Sequence, residues 1–400
     1  MNIYKYNGDI FISNHSFNFE TASKEELYNA EHVYLLKKGD KHKTKFKQII
    51  NSITQINDDE DINYILYKED SSFLGKLINE EKLSSINTTF SDWQYMYKQS
   101  PIKNKYKVNI AGLGDVGGTL AIGLKLLGYD IISEIGIFDL DENKVKRWEY
   151  ELNQINYPNN IELPKVKPIG YEEVFDCDVF IFCITRQVPD ISIKDIDVRI
   201  VQYKGNAEII ERYVEAAKKV NYNGYFFIVS DPVDHLCKKA LVELNKEYTF
   251  PADNIKGFGL GVMYARAKYF AEKLGIEYFG DEGRAFGPHG SELVIADSIK
   301  KYNHELSLNL TEQTKNANIE VRKTGFKPYI APALSSGALS IHACLKGEWH
   351  YSTVSLGGTF LGIKNRITKN GVQIESYRDL DSKLFERIKN SYERLVEFNV

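Results

Sequence analysis

Residues 106–118 read YKVNIAGLGDVGG, an apolar run that breaks into glycines. No other stretch of the chain constrains its fold as tightly. YKVNIA has the composition of a strand buried on both faces, and DVGGTLAIGLKLLG carries apolar residues at helical spacing. Between them Gly112, Gly114 and Gly117 fit G-x-G-x-x-G, the turn that cradles a dinucleotide. Gly112 permits the tight turn, Gly114 lets the backbone approach a pyrophosphate, and Gly117 lets the helix pack close to the strand. The helix start supplies free N–H groups and a partial positive charge for phosphate. Asp115 and Val116 complete the loop. A second strand lies within ISEIGIFDLDENK and ends at Asp139, about where such a unit holds the ribose hydroxyls. An acid there repels a 2′-phosphate, so NAD is expected rather than NADP.

The 400 residues, 43% hydrophobic and 26% charged, suffice for two or three domains with their own cores. A net charge of −4 gives no electrostatic reason to expect nucleic acid or an anionic membrane as partner. Cys177, Cys183, Cys237 and Cys344 show neither paired nor metal-ligand spacing. They read as reduced thiols of a cytoplasmic protein, and no metal is expected. The start, MNIYKYNGDI, lacks the pattern of a signal peptide, and no apolar run is long enough to span a bilayer.

The strand–helix alternation continues after residue 106. CDVFIFCIT (177–185) and GYFFIVSDPVD (224–234) read as buried strands, and NAEIIERYVEAAKKV and DHLCKKALVEL as helices. This is the pattern of a Rossmann-type, doubly wound parallel sheet of the α/β class. Beyond about residue 250, longer helices mix with hairpin-like strands such as WHYSTVSLGGTF and GIKNRITKNGVQIE, which marks a second, α+β domain. The stretch before residue 105 reads as a small α+β module. Ser23 and Glu26 form a capping-box signal ahead of a helix. KTKFKQIINSITQI and SSFLGKLINEEKL read as helices and INYILY as a strand. The expected division is 1–104 for this module, 105–250 for the dinucleotide domain and 251–400 for a substrate domain. The module carries no evident chemistry and reads as a docking or oligomerisation unit.

Several ordered segments together resemble the L-lactate and malate dehydrogenase family, over roughly residues 106–400. They are GLGDVGG with FDLDENK, the turn VSDPVD, the helix GLGVMYARAKYFAEKLG, the turn GPHGSE and the strands TVSLGGTFLGIKNRITKNGVQIE. The resemblance implies an NAD-dependent oxidoreductase acting on a 2-hydroxy or 2-oxo acid or a related carbonyl, and a homo-oligomer, dimer or tetramer. It places the catalytic histidine at His289 and the arginine that grips the substrate carboxylate at Arg266. The carbonyl-polarising arginine of a closing lid falls on Arg199, and the helix after the lid carries Asn206 as a substrate contact. These residue types suit the chemistry. A histidine near neutrality can protonate the oxygen as hydride arrives, and a guanidinium fork matches a carboxylate.

Two positions depart from the family. The aspartate that partners its histidine is here Met263, and the asparagine of its DPVD-like turn is here Asp231. Methionine cannot accept an imidazole N–H. Asp231 therefore reads as a replacement partner of His289, as a binder of a cationic or hydroxyl group on an unusual substrate, or as a mark of a decayed site. Retained chemistry on an altered substrate, with Asp231 catalytic, is the reading adopted. The alternatives are an NAD-binding sensor or interaction protein and an opine-type imine reductase.

Overall fold

The computed structural model describes residues 1–186, 198–246 and 249–400, and the side chains of 198–201 lie outside that description. Among the described residues a six-stranded parallel sheet forms the middle of the chain. In space its strands run Ile255–Gly257, Tyr225–Ile228, Val179–Phe182, Tyr106–Ala111, Ile132–Phe138 and Lys165–Pro168. Counted along the chain that order is 6-5-4-1-2-3, the doubly wound Rossmann arrangement, which reverses between Tyr106–Ala111 and Val179–Phe182. The strands Val179–Phe182 and Tyr225–Ile228 are short and wholly apolar because helices cover both faces. Phe180, Phe182, Phe226 and Ile228 pack toward one side and Val108, Ile110, Ile135 and Phe227 toward the other.

The helix Asp115–Leu127 leaves the glycine turn and is covered by the π-helical segment Pro332–Leu339. A side chain at Gly123 would stand 2.4 Å from the Ala338 methyl, so the two backbones approach closely only because residue 123 is glycine. The C-terminal region thereby sits against the phosphate-binding helix.

The antiparallel strands His350–Leu356, Thr359–Thr368 and Gly371–Ile374 follow their hairpin-like sequence pattern. The N-terminal module extends this sheet. Its strand Lys47–Ile49 pairs in parallel with Gly371–Ile374 and antiparallel with Leu83–Asn87, and a sheet of nine strands results among the described residues. Within the module, Asp9–Ser13, Val33–Lys37 and Leu83–Asn87 run parallel. The capping box forms as expected: Ser23 Oγ accepts the Glu26 N–H, and Glu26 accepts the Ser23 N–H. The helix expected in SSFLGKLINEEKL forms over Phe73–Asn79. Two local expectations do not hold: KTKFKQI contributes a strand rather than a helix, and INYILY opens on a 3-10 turn at Ile62–Ile65 capped by Asp61. In KTKFKQI apolar residues at short spacing fit both patterns, and sheet partners distant in sequence decide.

The two sheets are joined by a buried polar chain. Lys256 Nζ donates to Asn365 Oδ1 at 2.8 Å, and Asn365 Nδ2 donates to Ser352 Oγ at 3.0 Å. His350 completes it, with Nδ1 donating to the Glu348 carbonyl at 3.0 Å and Nε2 lying 3.0 Å from Ser352 Oγ. Burial, aided by the charge on Lys256, pushes His350 down to about 3 from an ordinary value near 6.5. The ring therefore stays neutral in the folded protein, while the unfolded chain takes up a proton below pH 6.5. Its contribution to stability is complete above that pH and is lost as pH falls toward 3. At pH 5 the loss is about 2 kcal/mol. Urea unfolding at pH 7 and pH 5 checks this. His350→Gln is expected to lose about 2 kcal/mol less than wild type between the two pH values, whatever its stability at pH 7.

Candidate active site

The glycine turn meets each steric demand read from its sequence. Gly112 has φ +95°, and a Cβ there would come within 2.9 Å of the Cys183 and Ile184 backbone. A Cβ on Gly117 would lie 1.8 Å from the Gly112 carbonyl, so only glycine lets this helix start against the turn. Gly114, by contrast, faces open space. That gap is where a pyrophosphate would lie, against the N–H groups at the start of Asp115–Leu127. Asp139 closes the turn from the next strand. Its carboxylate accepts the Leu113 N–H at 2.8 Å and the Asp141 N–H at 3.0 Å, with Lys144 Nζ 3.6 Å away. A carboxylate has about four acceptor positions, so capacity remains for ribose hydroxyls. The residues present therefore fit a dinucleotide.

These groups line a cleft of about 1150 Å³ at the carboxyl ends of the parallel strands. That exceeds the 300–1,000 Å³ typical of small-ligand sites. Gly112, Gly114, Asp115, Val116, Gly117 and Asp139 all border it, and its far wall reaches Asp231.

At that end three separate segments converge. Asp231 follows the strand Tyr225–Ile228 and precedes a cis bond to Pro232. His289 sits in the turn joining Arg284–Phe286 to Val294–Ala296. Arg266 projects from the helix Leu260–Lys273. His289 Nε2 stands 3.2 Å from Asp231 Oδ1, and Asp231 is 45% exposed against 22% for His289, so the acid is the one that solvent and ligand reach. A Cβ on Gly259 would lie 2.8 Å from His289 Nδ1. Glycine at 259 is thus what allows the ring its place, a requirement that the motif GFGLGV does not announce.

Arg266 is half-buried. Its Nη1 lies 3.8 Å from Met263 Sδ, and among the described residues no carboxylate comes within ion-pair distance of it. Burial pushes its pKa down, with the nearby charge of Asp231 acting against that shift. A half-buried guanidinium beside a thioether, with no ion-pair partner among the described residues, can grip an anionic ligand group. Met263, where the resembling family has an acid, lies against the arginine.

Asn206 is fully buried and both ends of its amide are engaged. Oδ1 accepts the Arg186 N–H at 2.8 Å, while Nδ2 donates to Ser230 Oγ at 3.3 Å and to the Asp231 carbonyl at 2.6 Å. It ties the end of the Val179–Phe182 strand to the Asp231 turn. In this geometry the amide is engaged by the Ser230 hydroxyl and by the backbone at Arg186 and Asp231 rather than aimed at a substrate. The side chain of Arg199 lies outside the described residues. The sequence reading also passed over Lys327, which reaches from residue 327 to Asp115 at the cleft mouth, and the hydroxyl pair Thr185–Ser230 at 2.8 Å.

Known proteins resemble this chain in sequence and in fold. Residues 106–252 match the family model described as the lactate/malate dehydrogenase NAD-binding domain. A malate dehydrogenase of Aliarcobacter butzleri is 27% identical over 320 residues, covering 73% of this chain and 97% of its own length. L-lactate dehydrogenase 2 of Staphylococcus aureus is 26% identical over 292 residues, 66% of this chain and 86% of the relative. Among solved structures, a minor L-lactate dehydrogenase from Enterococcus mundtii superposes with a TM-score of 0.61 at 21% identity, over 74% of this chain and 97% of that one. The lactate dehydrogenase of Eimeria maxima with NADH and oxamate gives 0.58 at 21% identity, over 74% and 93%.

Proposed function

Because the chain from Tyr106 onward is a divergent member of the lactate/malate dehydrogenase family, we propose that it interconverts a 2-oxo acid and its 2-hydroxy acid with NAD as cofactor. The observation that carries this reading is the half-buried Arg266, with no carboxylate of the described residues within ion-pair distance, beside the His289–Asp231 pair at one end of the dinucleotide cleft. When bound, reduced NAD supplies hydride to the carbonyl carbon. Arg266 holds the substrate carboxylate by two parallel N–H donors and so fixes which face is presented. His289 supplies a proton to the carbonyl oxygen as negative charge gathers there, and takes it back in the reverse direction. Asp231 orients the ring and balances its positive charge before that transfer. Asn206 positions Asp231 through its backbone rather than touching substrate. Arg199 is retained as the polarising arginine of the lid.

Asp231 also presents an acid where substrate must enter. That favours a 2-oxo acid with a hydrogen-bond donor near its carbonyl over lactate or malate. In this reading residues 1–104 serve as module, 105–250 with the sheet's edge strand Ile255–Gly257 as cofactor domain, and the rest of 251–400 as substrate domain of a cytoplasmic homo-oligomer. The test is NADH consumption against a panel of 2-oxo acids, including hydroxylated and aminated ones. Saturable turnover of at least one member is expected. NADH binding with no turnover across the panel would overturn the reading.

A further inference from the structure

The first helical residue after the glycine turn is an acid. Alone, Asp115 suits the helix start, because a negative charge there complements the positive end of the helix dipole. It ill suits a bound cofactor, whose pyrophosphate brings two negative charges to that same helix start. Lys327 alters this balance. It belongs to the stretch between the helix His304–Lys323 and the segment Pro332–Leu339, and its Nζ lies 3.1 Å from Asp115 Oδ2 across 212 residues of sequence. Arg322, Pro328 and Tyr329 of the same region form the adjoining wall of the cleft. Lys327 is 79% exposed on its side chain, so the pair is no contributor to the fold.

We propose that Lys327 is a cofactor-binding residue contributed by the C-terminal region: it neutralises Asp115 and donates to the cofactor's pyrophosphate. An ammonium has three N–H donors, and Asp115 occupies one, which leaves donors for phosphate oxygens. The consequence is that the 322–332 wall and the glycine turn hold the pyrophosphate between them. This inference rests on the NAD-binding reading given above.

The test measures NADH affinity by calorimetry and adenosine affinity by competition. Lys327→Ala is expected to weaken NADH about tenfold at low salt, with a shallower salt dependence, and to leave adenosine binding unchanged. Asp115→Asn in the Lys327→Ala background is expected to restore most of the loss, since the uncompensated acid is then gone. Lys327→Arg keeps the charge and should stay within about threefold of wild type. Lys327→Ala binding NADH as wild type does, or losing adenosine and NADH equally, would overturn the role of Lys327 while leaving the NAD reading intact. A wild-type protein that bound no NADH would overturn both.

Discussion

Replacing His289 by alanine is expected to lower kcat by about 10²–10⁴-fold, the usual worth of a positioned proton donor. NADH affinity should be unchanged, because the ring stands beyond the cofactor cleft and touches Asp231 rather than the glycine turn. The reason for the loss is local. Hydride arrival places negative charge on an oxygen that, without an acid, must draw a proton from water in a confined site. Asp231→Asn provides the second arm. It keeps the size of the side chain and its backbone contact to Asn206, but removes the charge 3.2 Å from Nε2. If Asp231 has taken the partner's role that Met263 cannot fill, this variant loses at least tenfold in kcat. A silent Asp231→Asn together with a crippled His289→Ala would assign the partner's role elsewhere. A His289→Ala variant with full turnover would remove histidine from the chemistry.

Arg266→Ala carries the second large effect. Truncating a desolvated charge that pairs with a ligand costs about 2–5 kcal/mol, so kcat/KM is expected to fall about 10²–10³-fold. Most of this should appear in KM, because the carboxylate is gripped in the ground state and the transition state alike. Thermal stability should hold or rise, since the variant removes a half-buried cation that has no anionic partner among the described residues. That combination separates a ligand contact from a structural arginine, whose loss would lower both. A substrate analogue with its carboxylate turned into an amide makes the same point. Wild type and Arg266→Ala should handle the amide with similar kcat/KM, and a persistent hundredfold gap on the amide would refute the grip. Arg266→Lys should recover only part, because an ammonium cannot make the two parallel bonds.

The legible parts of this molecule are those whose causes lie within a few residues. The glycine turn, the helix that follows and Asp139 were readable because a positive φ at Gly112 and a missing Cβ at Gly117 are requirements of one short loop. The capping box at Ser23 and Glu26 was readable for the same reason. The strand Lys47–Ile49 was not. Its partners are Leu83–Asn87 and Gly371–Ile374, and KTKFKQI satisfies helical spacing as well as it satisfies a strand. Residue 350 gave no sign in sequence that it would be held neutral, since Lys256 and Ser352 act on it only across the joined sheets.

The sequence by itself determined that a dinucleotide turn opens a parallel sheet at residue 106, that His289 and Arg266 occupy motif positions suited to 2-oxo acid chemistry, and that Met263 and Asp231 break the pattern. Tertiary structure alone decided what those breaks amount to. It set Asp231 beside His289, 58 positions further along the chain, left Arg266 against Met263, brought Lys327 to Asp115 and merged the N-terminal module into the C-terminal sheet. Backbone sterics act between neighbours in the chain and can be read there. Charge pairing acts between neighbours in space, and those are chosen by the packing of the whole fold.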